Sequence, residues 1–155
     1  RGKTIRGTPR GAPKLLNTDN HTQTIVATQP TYSLSKAERL RGKAADMLFK
    51  GSKGGFVFPY RFVYKVRAAE QSDQAAVSVL FSVPKRNIKR AVGRNLLKRR
   101  TREAYRLGKL DLLHKATEKG LHVDIALIYA HKEPLEYTPL SNAVQKILAK
   151  ISCGL

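Results

Sequence analysis

From Arg94 a basic residue returns at every fourth position, at Lys98, Arg102 and Arg106, with Asn95 and Arg99 beside them. At 100 degrees per residue these six share one continuous arc of a helix, roughly 140 degrees wide. Leu97, Thr101, Ala104 and Tyr105 fill the neighbouring arc. Such a helix tolerates one setting only, with its apolar side packed on other structure and its charged side left open. Like charges four apart destabilise a helix by a few tenths of a kcal/mol per pair, and Glu103 relieves little of that. Packing beneath and an anion above must hold the helix.

The rest of the chain is charged in the same sense. Thirty Lys and Arg against 11 Asp and Glu give a formal charge of +19 on 155 residues, and self-repulsion of that size favours a polyanionic partner. Between Ser82 and Lys109 stand eleven basic residues and one acid, Lys85, Arg86, Lys89 and Arg90 among them. A concentrated basic face of this kind is the electrostatic footprint of nucleic-acid binding. An anionic membrane is the weaker partner, because the basic stretches lack the broad Trp, Phe and Leu face of an interfacial helix. The longest apolar runs, such as 125 to 130, are far short of the twenty or so residues that span a bilayer, and no signal peptide is seen. A soluble, cytoplasmic protein is expected. Cys153, the only cysteine, rules out an internal disulfide or a cysteine-based metal site and reads as a helix-end residue.

Two segments are expected. Residues 1 to 30, rich in Gly, Thr, Pro and basic residues, read as a flexible basic tail that either touches nucleic acid or merely solvates the terminus. A single domain follows over 31 to 155. Ser35 and Glu38 form a capping box, predicting a helix to about Lys50 that carries Leu40, Ala44, Met47, Leu48 and Phe49 and stops at Gly51. "FVFPYRFVYKV" sets Phe56, Phe58, Tyr60, Phe62 and Tyr64 at every second position, one face of a strand that Pro59 confines to an edge or a bulge. "AAVSVLFSV" alternates as a second strand, joined to the first as a hairpin through "RAAEQSDQ". After the basic helix come a short segment "LDLLHKATEKG", the strand "HVDIALIYA", and a helix from Pro139 with a stripe of Leu140, Ala143, Val144, Ile147, Leu148 and Ile151. The pattern is α+β, helices covering one face of a sheet.

Asn95 is the uncharged member of the basic arc; its amide both donates and accepts, so it suits a sugar hydroxyl or base edge where guanidinium only donates. Gly93 marks either the start of the helix or a close approach of backbone to phosphate. A protein-only nuclease would need clustered carboxylates or histidines. The acids are scattered, His21, His114, His122 and His131 lie far apart, and His122 with Asp124 on one strand face supplies two ligands, too few for a site. His114 reads as an ordinary, partly buried side chain. No metal site and no catalytic residue is assigned to the protein.

The run Arg94-Asn95-x-x-Lys98-Arg99-x-x-Arg102-Glu103, preceded by Ala91-Val92 and by "SVPKR" at a strand end, resembles the protein component of bacterial ribonuclease P. The resemblance extends from "LSKAERLRG" to the final helix. It implies a two-layer sandwich of order αβββαβα with an unusual left-handed crossover around the basic helix. It also implies a subunit of an endoribonuclease, inactive alone, that supports a catalytic RNA subunit as it removes the 5′ leader from precursor tRNA, with magnesium held mainly by the RNA. Carried over by position, Arg94, Asn95, Lys98, Arg99, Arg102 and Arg106, extended by Lys85, Arg86, Lys89 and Arg90, contact the ribonuclease P RNA. Phe49, Tyr60, Phe62 and Tyr64 line a cleft for the precursor tRNA leader, unless those rings are core. No membrane, DNA or obligatory protein partner is implied. Two departures stand out: Ala45 where the family often has an aromatic, and a longer "KRNIKRAVGR" entry to the helix. A ribosomal or other structural RNA-binding protein shares the composition and differs only in motif spacing.

Overall fold

The computed structural model describes residues 33–155; the basic tail lies outside the described residues. Eight elements follow in order: α1 (Lys43–Leu48), β1 (Lys53–Val57), β2 (Tyr60–Ala68), β3 (Val77–Ser82), α2 (Ala91–Gly108), α3 (Leu110–Glu118), β4 (Leu121–Tyr129) and α4 (Tyr137–Cys153). The strands make one sheet in the order β1-β2-β4-β3, antiparallel except for the parallel β3–β4 pair. Element order and the sheet-plus-helices layering agree with the α+β sandwich expected, with α3 as an added helix where a short segment was foreseen.

Directly paired residues point to the same side of a sheet, so the registers define its two faces. Tyr60, Phe62 and Tyr64 stand in rows with Tyr129, Leu127 and Ile125, and Phe81 and Val79 extend the last two rows. These rows form the core with Leu97 and Tyr105 of α2 and Val144 and Ile147 of α4, all fully buried. Burying each aliphatic side chain is worth about 1.5–3 kcal/mol. A hydroxyl pair locks α2 onto the sheet: Thr101 Oγ1 donates to Leu97 O at 2.7 Å, leaving its oxygen to accept from Tyr60 OH at 2.6 Å. Burial raises the Tyr60 phenol to about 12, so it stays a donor throughout the physiological range.

The opposite face carries Arg61, Val63, Lys65 and Arg67 of β2 in rows with Ile128, Ala126, Asp124 and His122 of β4. α1 covers only its middle, where Leu40 and Leu48 pack against Ala126, Val63 and Leu80. Six residues of helix cannot shield a four-stranded face, and a groove remains beside it.

Several local expectations are corrected. The expected 56–66 strand is two strands, because Phe58 and Pro59 form the turn of a β1–β2 hairpin with a cis peptide between them. β2 and β3 do not pair, since β4 inserts between them. The first helix begins at Lys43 rather than near Ser35. Ser35 Oγ does accept the Glu38 N–H at 3.3 Å, but residues 38–40 then run beside β3, Val79 N–H donating to Glu38 O at 2.7 Å and Leu40 N–H to Val79 O at 3.0 Å. The capping-box carboxylate is taken elsewhere: Lys109 Nζ donates to both Glu38 oxygens at 2.8 Å and to Ser33 O. Lys109 is thus buried at the α2–α3 junction and does not belong to the basic surface. His114, expected to be partly buried, is exposed.

Candidate nucleic-acid interface

α2 presents its side chains as the periodicity requires. Its buried residues are Leu97, Thr101, Ala104 and Tyr105, and Asn95, Arg99 and Arg102 are exposed with Lys98 half-buried between them. Burial also leaves the Tyr105 hydroxyl without a hydrogen-bond partner among the described residues and pushes its pKa up, with Glu38 adding to the rise.

Two of the arc's cations have structural duties. Arg94 Nη1 donates to Ile88 O at 3.0 Å and Lys89 O at 2.6 Å, folding the 84–90 loop back onto the start of the helix. Gly93 permits that fold, since a Cβ there would stand 3.1 Å from Ile88 Cγ2. The close approach is therefore to a side chain of the loop. Arg106 is bound bidentately by Glu103, Nε at 2.9 Å and Nη2 at 2.7 Å, and the guanidinium lowers the Glu103 pKa. Beside the arc, Arg100 Nη1 donates to Leu135 O at 2.6 Å and ties α2 to the loop before α4.

Lys85, Arg86, Lys89 and Arg90 are all exposed on the 84–90 loop. Asn87 Nδ2 donates to Tyr129 O at 2.7 Å, anchoring that loop to the end of β4. With the helix they make one positive surface, built on rigid structure from beneath. Its first turn holds no acid, so the partial positive charge of the helix N-terminus adds to the field.

A match to the ribonuclease P family model spans residues 34–152. The chain belongs to the ribonuclease P protein family. The ribonuclease P protein component of Porphyromonas gingivalis is 36% identical over 128 residues, covering 82% of this chain and 92% of that one. The Chlorobaculum tepidum protein of the same name is 39% identical over 115 residues, covering 68% and 72%. In fold, the Staphylococcus aureus RNase P protein superposes with a TM-score of 0.53 at 22% identity, covering 76% of this chain and 96% of that one. A mutant of the same protein, described as defective in mRNA degradation, gives 0.56 at 19% identity, with coverage of 75% and 89%.

The aromatic residues expected of a ribonuclease P leader cleft are split between the two faces of the sheet. Tyr60 and Phe62, 1% and 4% exposed, face α2 and α4 and have no free ring face to offer a base. Tyr64 stacks on Phe62 at 6.3 Å on that same side. The physical reason is parity: all three lie on the core face of β2, whereas α1, with Phe49, lies over the other. Phe49 ends α1 and is 50% exposed.

A groove of about 570 Å³ runs between α1 and the open sheet face, with Arg39, Arg41 and Met47 on one wall and Lys65, Ser78 and Asp124 on the floor. One end is polar and tightly paired. Arg67 binds Asp73 bidentately at 2.7 and 2.6 Å, and His122 Nε2 lies 3.1 Å from Asp124 Oδ1. Arg67 and the Glu70 amide hold the Asp73 carboxyl well below the usual carboxylate range. Lys65 and Arg67 were missed from sequence, although their alternation with the three aromatic residues marks them as the other face.

No group of three or more His, Cys, Asp or Glu among the described residues is placed to hold a metal. Asp73 and Asp124 have Arg67 as a counter-charge, and Asp124 also lies against His122. These residues do not fit a resident magnesium. Among the described residues no helix is long and apolar enough to cross a membrane.

Proposed function

We propose that the protein binds the catalytic RNA subunit of ribonuclease P through α2 and the 84–90 loop, and supports that RNA in removing the 5′ leader from precursor tRNA. The observation that carries this reading is the sided build of α2. Leu97, Thr101, Ala104 and Tyr105 are buried to the last, while Asn95, Lys98, Arg99 and Arg102 stand on the other side with no ion pair among the described residues. An arrangement that costs a helix stability and leaves Lys98, Arg99 and Arg102 without an ion pair among the described residues suits a polyphosphate backbone. Asn95 supplies the donor-acceptor contact to a ribose hydroxyl or base edge. Arg94 acts at one remove, shaping the loop that brings Lys85, Arg86, Lys89 and Arg90 alongside.

The leader belongs in the groove between α1 and the open sheet face. Lys65, Arg39 and Arg41 would meet its phosphates, and Phe49 offers a ring edge at the end of α1. Hydrolysis, and the magnesium it uses, lie with the RNA; the protein contributes positive potential and position, and acts in the cytoplasm. The test is equilibrium binding of a bacterial ribonuclease P RNA to wild-type protein and to Lys98→Ala and Arg102→Ala variants over a range of salt. The reading requires each variant to bind more weakly and with a shallower salt dependence. Unchanged affinity and slope in both would refute it.

A further inference from the structure

The β1–β2 turn lies at the end of the sheet where the basic loop departs. Ala130 N–H donates to Pro59 O at 2.9 Å, and Asn87 of the loop binds the carbonyl of Tyr129 one residue earlier. At that corner Phe58 is 56% exposed. His131 meets it edge-on, ring centres 5.2 Å apart at 67°. The next residue, Lys132, closes a basic-rimmed hollow of about 850 Å³ with Arg86, Lys89 and Arg90, floored by Ile88 and by Val92, which is 80% exposed. The nearby acid, Glu133, contributes its backbone carbonyl to Tyr129 OH and is otherwise exposed.

An exposed ring set edge-on to His131, with the next residue Lys132 lining a basic hollow together with Arg86, Lys89 and Arg90, matches the chemistry of an unpaired nucleotide. The base has a π face and the flanking phosphates carry charge. We infer that Phe58, braced by His131, is a stacking platform for an unpaired base of the RNA subunit, extending the RNA surface of α2 past its N-terminus across the 84–90 loop. The RNA subunit is the source, because the platform adjoins the loop and the start of α2, whereas α1 and the leader groove overlie the open sheet face. This rests on the reading of α2 given above.

The test compares wild type with Phe58→Leu, which keeps apolar bulk without a ring, and Phe58→Tyr, which keeps the ring. Binding is measured to a bacterial ribonuclease P RNA, and separately of precursor tRNA to the preformed protein–RNA complex. Stacking predicts that Phe58→Leu weakens RNA-subunit binding by roughly 5- to 150-fold, that Phe58→Tyr stays within about twofold, and that melting temperatures match. Phe58→Leu binding like wild type overturns the platform, as does a loss confined to precursor tRNA. Lys98→Ala is measured alongside: its loss of binding with Phe58→Leu intact sinks the platform alone, and no loss in either variant sinks the reading of α2 as well.

Discussion

Among the described residues Lys98 and Arg102 form no side-chain hydrogen bond or ion pair, so on the proposed reading their truncation acts chiefly on RNA binding. Each truncation to Ala should lower the log–log salt slope of RNA binding by about one unit and weaken binding across RNA sequences alike. Arg94→Ala should do more, because it also frees the two loop carbonyls that its guanidinium holds; a parallel hydrogen-exchange measurement should show the 84–90 amides losing protection. Asp73 gives a pH signature. Its folded pKa is depressed by Arg67 first and the Glu70 amide second, so its stabilisation is complete above the unfolded value of about 3.9 and is lost as pH falls below it. Asp73→Asn should flatten the acid limb of a stability–pH profile and leave the neutral region lower; an unchanged acid limb would contradict the assignment.

At the scale of elements, the two long helices α2 and α4 were legible, and the start of the first helix, the helix α3 and the sheet order were not. The stripe Leu140, Ala143, Val144, Ile147, Leu148 and Ile151 is buried as its spacing requires, and α4 starts at Tyr137, two residues before Pro139. A helical period is local, and the sequence displays it. Whether two strands pair depends on what inserts between them, and nothing near β2 or β3 announces β4. Of the five rings expected on one face only Tyr60, Phe62 and Tyr64 share it, because Phe56 pairs with Arg61 of the opposite face and Phe58 lies in the hairpin turn; which face the helices cover is a global property. Glu38 shows the same limit in reverse: its local role as a capping acid loses to Lys109, 71 residues away. Removing one partner of that buried pair, as in Glu38→Gln, should cost about 3–5 kcal/mol in urea unfolding. Glu38→Leu combined with Lys109→Met should recover much of the loss. Ile147→Ala, fully buried under the sheet, should cost about 2–5 kcal/mol.

Across the whole molecule, the proposed reading divides the work between two surfaces: the basic helix with its loop, and the groove beside α1. If the groove holds the leader, Phe49→Ala and Lys65→Ala should weaken binding of leader-bearing precursor to the protein–RNA complex and leave mature tRNA unaffected; equal losses on both would remove the leader from the groove. Among the described residues the acids and histidines form no group of three or more placed to hold a metal. The most direct measurement is cleavage of a 5′-labelled precursor tRNA at low magnesium by the protein alone, by a bacterial ribonuclease P RNA alone, and by the two together. The account predicts efficient cutting at the mature 5′ end only in the mixture. Cleavage by the protein alone, or a mixture no better than the RNA, would contradict it.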